Sequence, residues 1–153
     1  MGETDLQKFF SSSEQQTEAL AEKLAKTLQG NEVIAMFGGL GAGKTAFTRG
    51  LARGLGIMDG VSSPTFALVH EYEGKYMLYH FDMYRIDTWD DLDTAGYFDC
   101  LGTDGYVLCE WAENIYGALP DDALIITITK RGEQQRHFSI CTKKEYDEYD
   151  SGD

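Results

Sequence analysis

Cations are scarce in this sequence: 13 lysines and arginines stand against 26 aspartates and glutamates, a formal net charge of −13. A surface of that sign repels nucleic acid and anionic lipid, which are bound mainly by neutralising phosphates with Lys and Arg. Direct contact with nucleic acid, DNA included, or with a membrane is therefore not expected, and any nucleic acid should be met through another protein. Cysteine is scarce too. Cys100, Cys109 and Cys141 are odd in number, far apart and without a C-x-x-C pair, which argues against a disulfide framework or a zinc site. No apolar run approaches the ~20 residues needed to cross a bilayer, and the N-terminus lacks the form of a signal peptide. A soluble, cytoplasmic protein is expected, without internal repeats or low-complexity stretches.

What is present begins with enough apolar residues, 42 % of 153, for one buried core. Residues 1–144 read as a single domain. Residues 145–153, where Glu145, Asp147, Glu148, Asp150 and Asp153 alternate with Tyr146 and Tyr149, read as an acidic, solvated and poorly ordered tail.

The chain is organised around residues 38–45, GGLGAGKT, which fit G-x-x-x-x-G-K-S/T with Gly38, Gly43, Lys44 and Thr45 in the fixed places. Glycines let consecutive backbone N–H groups turn inward around phosphate oxygens, and the helix that follows points its positive dipole end at the same anion. Lys44 would reach the terminal phosphates, and Thr45 would offer its hydroxyl to a magnesium ion bridging them.

Around this loop the pattern predicts alternating elements. A serine-capped amphipathic helix carries Leu20, Leu24 and Leu28 and ends at Gly30. A buried parallel strand spans 33–37, and the helix after the loop places Phe47, Leu51 and Leu55 on one face. Runs 66–72 and 76–81 form an antiparallel hairpin, 87–101 holds one or two short helices, and 106–109 is a further buried strand. Residues 112–119 read as helical until Pro120, and 124–129 with 138–141 as a second hairpin at the sheet edge.

A phosphate loop needs a carboxylate to complete magnesium binding, usually at the C-terminal end of a neighbouring strand. Asp82 and Glu110 both qualify, each an acid at the mouth of an apolar strand. Spacing leaves open which holds the metal and which orients or deprotonates water, and either could instead cap the next turn. Thr65, on the loop after the first helix, could sense the terminal phosphate or simply open a strand. Arg85 could contact phosphate or a partner's carboxylate, or be a solvated arginine. Trp111 beside Glu110 reads as core or site flank. His80 reads as a satisfied packing residue rather than a metal ligand. Asp93 to Gly96 spell the D-x-x-G of GTPases but follow an acidic helical stretch, and no N-K-x-D guanine signature occurs, so adenine is expected.

The order GGLGAGKTAFTRG, SPTF (63–66), HFDMYR (80–85) and EW (110–111) resembles the TsaE family, also called YjeE, over nearly the whole chain. The resemblance implies a P-loop NTPase-like, three-layer α/β fold with a mixed, mainly parallel central sheet. It also implies a slow Mg2+-dependent ATPase that takes ATP to ADP and serves tRNA threonylcarbamoyladenosine formation with the proteins TsaD and TsaB, meeting tRNA only through that complex. By motif, Gly39, Leu40, Gly41, Ala42, Gly43, Lys44 and Thr45 would hold ATP phosphates. Thr45 and Glu110 would bind magnesium, Asp82 would be the acid required for hydrolysis, Thr65 the switch threonine, and Trp111 a flank of the site. Two positions depart from the family pattern, which has Asp at Gly39 and a second Thr at Ala46, so the loop loses two polar groups.

Two other classes use the same loop. A small-molecule kinase would pass the terminal phosphate to a hydroxyl, but such enzymes carry an arginine-bearing lid, and this chain has five arginines and no spare segment for one. A nucleotide-dependent binding module would use ATP only to order loops for docking.

Overall fold

Five consecutive apolar residues, Val33–Phe37, are all buried and form strand β2 at the middle of a seven-stranded sheet. In the computed structural model, which describes residues 7–38, 43–57 and 69–151, the remaining strands are β1 (Gln7–Ser11), β3 (Val69–Tyr72), β4 (Met77–Asp82), β5 (Gly105–Glu110), β6 (Leu124–Lys130) and β7 (Arg136–Thr142). Their order is β1-β7-β6-β2-β5-β4-β3. The central four strands are parallel and the flanking pairs antiparallel. Strands buried on both faces need apolar residues at every position, which is why β2 and β5 read as unbroken runs.

Helices cover both faces. Helix α1 (Glu14–Ala25) and helix α2 (Lys44–Gly54) pack on one side through Ala21, Phe47, Leu51, Met36 and Leu108. On the other side lie α3 (Trp89–Thr94), α4 (Tyr97–Cys100), a 3-10 helix (Ala112–Ala118) and α5 (Lys143–Ser151), where Leu92, Tyr97 and Ile115 meet Phe81, Val107 and Cys109. The expected three layers are present.

The α1–α2 contact is unusually close. A Cβ at Gly50 would lie 2.2 Å from the Glu18 carbonyl oxygen, and one at Gly54 would lie 2.6 Å from both the Glu22 carbonyl and Ala25 Cβ. Arg49 and Arg53 clasp Glu18 at 2.8 and 2.9 Å, and Arg53 also reaches Glu22 at 2.7 Å. The close approach is made on Thr17, Ala21 and Ala25, the buried face of α1. Leu20, Leu24 and Leu28 are only partly buried and, with Phe9, Phe138 and Ile140, line a groove of ≈ 630 Å³. The helix stops at Ala25, short of the expected Gly30.

Two further expectations are corrected and the helical reading of 112–119 is refined. The late hairpin is not at the edge: β6 pairs with β2, and β7 is covered by β1, a short strand with too little apolar pattern to announce itself. Residues 112–118 wind as a 3-10 helix with a kink at Ile115. The acidic end is a helix through residue 151, because Tyr146 packs edge-on against Phe37 and the Tyr116 hydroxyl donates to Asp147. All three cysteines are free; burial pushes the Cys109 thiol well up and that of Cys141 up to about 11, so neither is a thiolate at neutral pH.

Candidate functional site

The carboxyl ends of β2, β4 and β5 open on one edge of the sheet, where α2 begins. There a cleft of ≈ 450 Å³ is lined by Lys44, Thr45, Asp82, Glu110 and Trp111, with Gly43, Ala46 and Arg49 from the start of α2. Its other side draws on Ser13, Glu14 and Thr17 from the start of α1, on Gln134 from the β6–β7 turn and on Arg136, the first residue of β7. A crevice outside the carboxyl ends of parallel strands is where α/β sheets bind ligands.

Asp82 and Glu110 are register partners in the parallel β4–β5 pair, so their side chains leave the sheet on the same face. The chain beyond them is fixed by hydrogen bonds. Met83 N–H donates to the Glu110 carbonyl at 3.0 Å, and the Asn114 amide donates to the carbonyls of Met83 at 2.9 Å and Tyr84 at 3.2 Å. Asp82 Oδ1 accepts from the Tyr84 N–H at 3.0 Å.

Lys44 is nearly enclosed, 7 % exposed, with Nζ donating to the Gly38 carbonyl at 2.9 Å and lying 4.0 Å from the centre of the Trp111 ring. Burial pushes its ammonium below the ordinary value, while the negative charges of Glu110, Glu113 and Asp82 oppose that shift. Trp111 has φ 56° and ψ 38° and is the non-glycine residue with positive φ among the described residues. Such a conformation costs of order 1–3 kcal/mol and clusters at functional sites. The indole lies over Lys44, and Tyr84 packs against the indole with centroids 4.8 Å apart.

Glu110 is buried and bonded at 2.6 Å through Oε2 to His80 Nε2. The sequence reads His80 as a satisfied core residue; it is buried, but its Nδ1 has no hydrogen-bond partner among the described residues.

Among the described residues no three His, Cys, Asp or Glu side chains group as a metal site. The donors are a hydroxyl at Thr45 and carboxylates at Asp82 and Glu110, the hard oxygens that suit magnesium when phosphates and water complete its shell.

Of the residues singled out from sequence, Lys44, Thr45, Gly43, Asp82, Glu110 and Trp111 thus come together. Arg85 is exposed and does not line the cleft. Gly39, Leu40, Gly41, Ala42 and Thr65 lie outside the described residues. Sequence reasoning missed Arg136 and Gln134, whose only signal is polarity near a glycine turn. Arg136 lies against the loop: a Cβ at Gly43 would be 3.5 Å from its Nε.

Residues 11–138 match the family model described as threonylcarbamoyl adenosine biosynthesis protein TsaE. The chain is 42 % identical over 134 residues to the tRNA threonylcarbamoyladenosine biosynthesis protein TsaE of Aquifex aeolicus, covering 86 % of this chain and 92 % of that one. It is 34 % identical over 131 residues to the protein of the same name from Treponema pallidum, covering 86 % and 97 %. The crystal structure of YdiB from Bacillus subtilis aligns over 99 % of both chains with a TM-score of 0.73 at 28 % identity.

Proposed function

The chain belongs to the TsaE family of threonylcarbamoyl adenosine biosynthesis proteins, and from that premise we propose that it is a slow, magnesium-dependent ATPase. It would act as an accessory to the tRNA threonylcarbamoyladenosine-forming proteins TsaD and TsaB in the cytoplasm. The observation that carries this reading is the meeting of Lys44 and Thr45, at the start of α2, with Asp82 and Glu110, paired at the ends of β4 and β5.

In this reading Lys44 exchanges its bond to the Gly38 carbonyl for a phosphate oxygen, keeping the Trp111 ring at its back. Thr45 and Glu110 hold magnesium, with Gly39 to Gly43 supplying backbone N–H groups to the phosphates. When bound, magnesium neutralises charge on the phosphate oxygens. Asp82 would orient a water and take its proton as the water attacks the terminal phosphorus, while the bond from that phosphorus to the β–γ bridging oxygen breaks and the oxygen leaves with ADP. Thr65 would report on that phosphate, and Ser13, Gln134 and Arg136 would take the nucleoside end. Arg85, exposed outside the cleft, is available to a partner's carboxylate. The net charge of −13 supports contact with partner proteins rather than with tRNA itself.

ATP hydrolysis measured for the protein alone and then with TsaD, TsaB and tRNA from the same organism tests the proposal. Slow turnover alone and faster turnover in the mixture are expected. No stimulation and no co-purification would sink it, and stimulation by a metabolite in place of the proteins would point to a kinase.

A further inference from the structure

His80 is a buried polar side chain beside the cleft that the proposed hydrolysis leaves unused. It stands on β4 two residues before Asp82 and therefore on the same sheet face, between core residue Leu78 and the cleft. Its register partner on β5 is Leu108, and Glu110 is the next residue of that face toward the cleft. The imidazole reaches diagonally across the two strands, and Nε2 meets Glu110 Oε2 at 2.6 Å with the two side chains 1 % and 8 % exposed.

A carboxylate is acceptor only, so Nε2 carries the N–H and donates to Glu110 Oε2. Nδ1 has no hydrogen-bond partner among the described residues, so the polarity of this ring is spent on Glu110. A leucine could fill the same volume at no polar cost. A short hydrogen bond from an enclosed donor removes rotational freedom from the carboxylate, as the partners behind metal ligands do elsewhere.

We infer that His80 is a positioning residue, which pins Glu110 through Oε2 so that Oε1 is the oxygen offered to magnesium in the cleft. The inference rests on the magnesium–nucleotide reading of the site and adds to it the group that orients the metal's protein carboxylate. His80 touches neither nucleotide nor metal in this arrangement.

The test is calorimetric titration of the full chain with ADP, first in EDTA and then across a series of MgCl2 concentrations, for wild type and the variants His80→Leu, His80→Asn and His80→Gln. Glutamine can carry an N–H about as far as Nε2, whereas asparagine is too short and leucine has no donor. The magnesium concentration giving half-maximal tightening of ADP should rise about 10- to 100-fold in His80→Leu and His80→Asn. It should stay close to wild type in His80→Gln, and ADP affinity in EDTA should not change in any of them. Should His80→Leu fail to fold, the asparagine–glutamine pair gives the same contrast with an amide in both. Equal magnesium dependence in those two, or an unchanged value in His80→Leu, overturns the inference while leaving the nucleotide site standing. A wild-type protein whose ADP binding ignores magnesium overturns the underlying reading as well.

Discussion

The cleft has two sides of different origin. On one, Asp82, Glu110 and Trp111 sit at the ends of β4 and β5, deep in the parallel part of the sheet and tied by the Met83 and Asn114 hydrogen bonds. On the other, Ser13, Glu14, Thr17, Gln134 and Arg136 come from the start of α1, the β6–β7 turn and the first residue of β7, placed by packing between segments far apart in the chain. The first side inherits its geometry from strand register, where one-residue precision is automatic. The second depends on how closely α1 lies on α2, and so on Gly50 and Gly54. Chemistry belongs to the first side in our reading, and nucleoside recognition to the second.

Substitutions can separate the two. Asp82→Asn should lower ATP turnover about 100- to 10,000-fold while ADP binding persists, since only proton transfer is removed; a matched loss of binding would show that Asp82 belongs to affinity. Gly50→Ala should cost about 3 kcal/mol by driving α1 off α2, seen in thermal denaturation as a fall of about 10 °C. Any folded remainder should bind ADP weakly, because Ser13 and Thr17 move with α1. Arg136→Ala should weaken ADP about 10-fold, near the 1.4 kcal/mol of one charge-assisted contact, with kcat unchanged; a fall in kcat instead would place Arg136 at the reacting phosphate.

The smallest effect concerns stability. Lys44→Met should abolish nucleotide binding yet raise the melting temperature slightly, because the folded chain disfavours the Lys44 charge. Its folded value lies below the ordinary 10.5, so the cost is fully present at pH below that lowered value. Between the two values the unfolded chain binds more protons, so wild-type stability rises with pH relative to Lys44→Met. Melting curves of both proteins across the alkaline range check the sign.

The legibility of the two sides in sequence differs for the same reason. An apolar strand closed by an acid, or a glycine loop closed by Lys-Thr, is a local pattern, so Asp82, Glu110, Lys44 and Thr45 stand out within a few residues of chain. Arg136 carries no such pattern, because nothing near it in sequence says that Gly43 lies against it. Gly50 and Gly54 do carry a signal, two glycines one helical turn apart, matched by Ala21 and Ala25 on α1. The α5 helix stayed hidden because its order comes from Tyr146 meeting Phe37, more than a hundred residues away in sequence.

A crystal structure of the protein grown with ADP and MgCl2 tests the central claim, that both sides close on one nucleotide. The account predicts the diphosphate at Lys44 Nζ with magnesium on Thr45 and Glu110, and the adenosine between Ser13 and Arg136. Nucleotide density elsewhere, such as the groove of Leu20, Leu24 and Phe138, or a diphosphate turned away from Glu110, would contradict it.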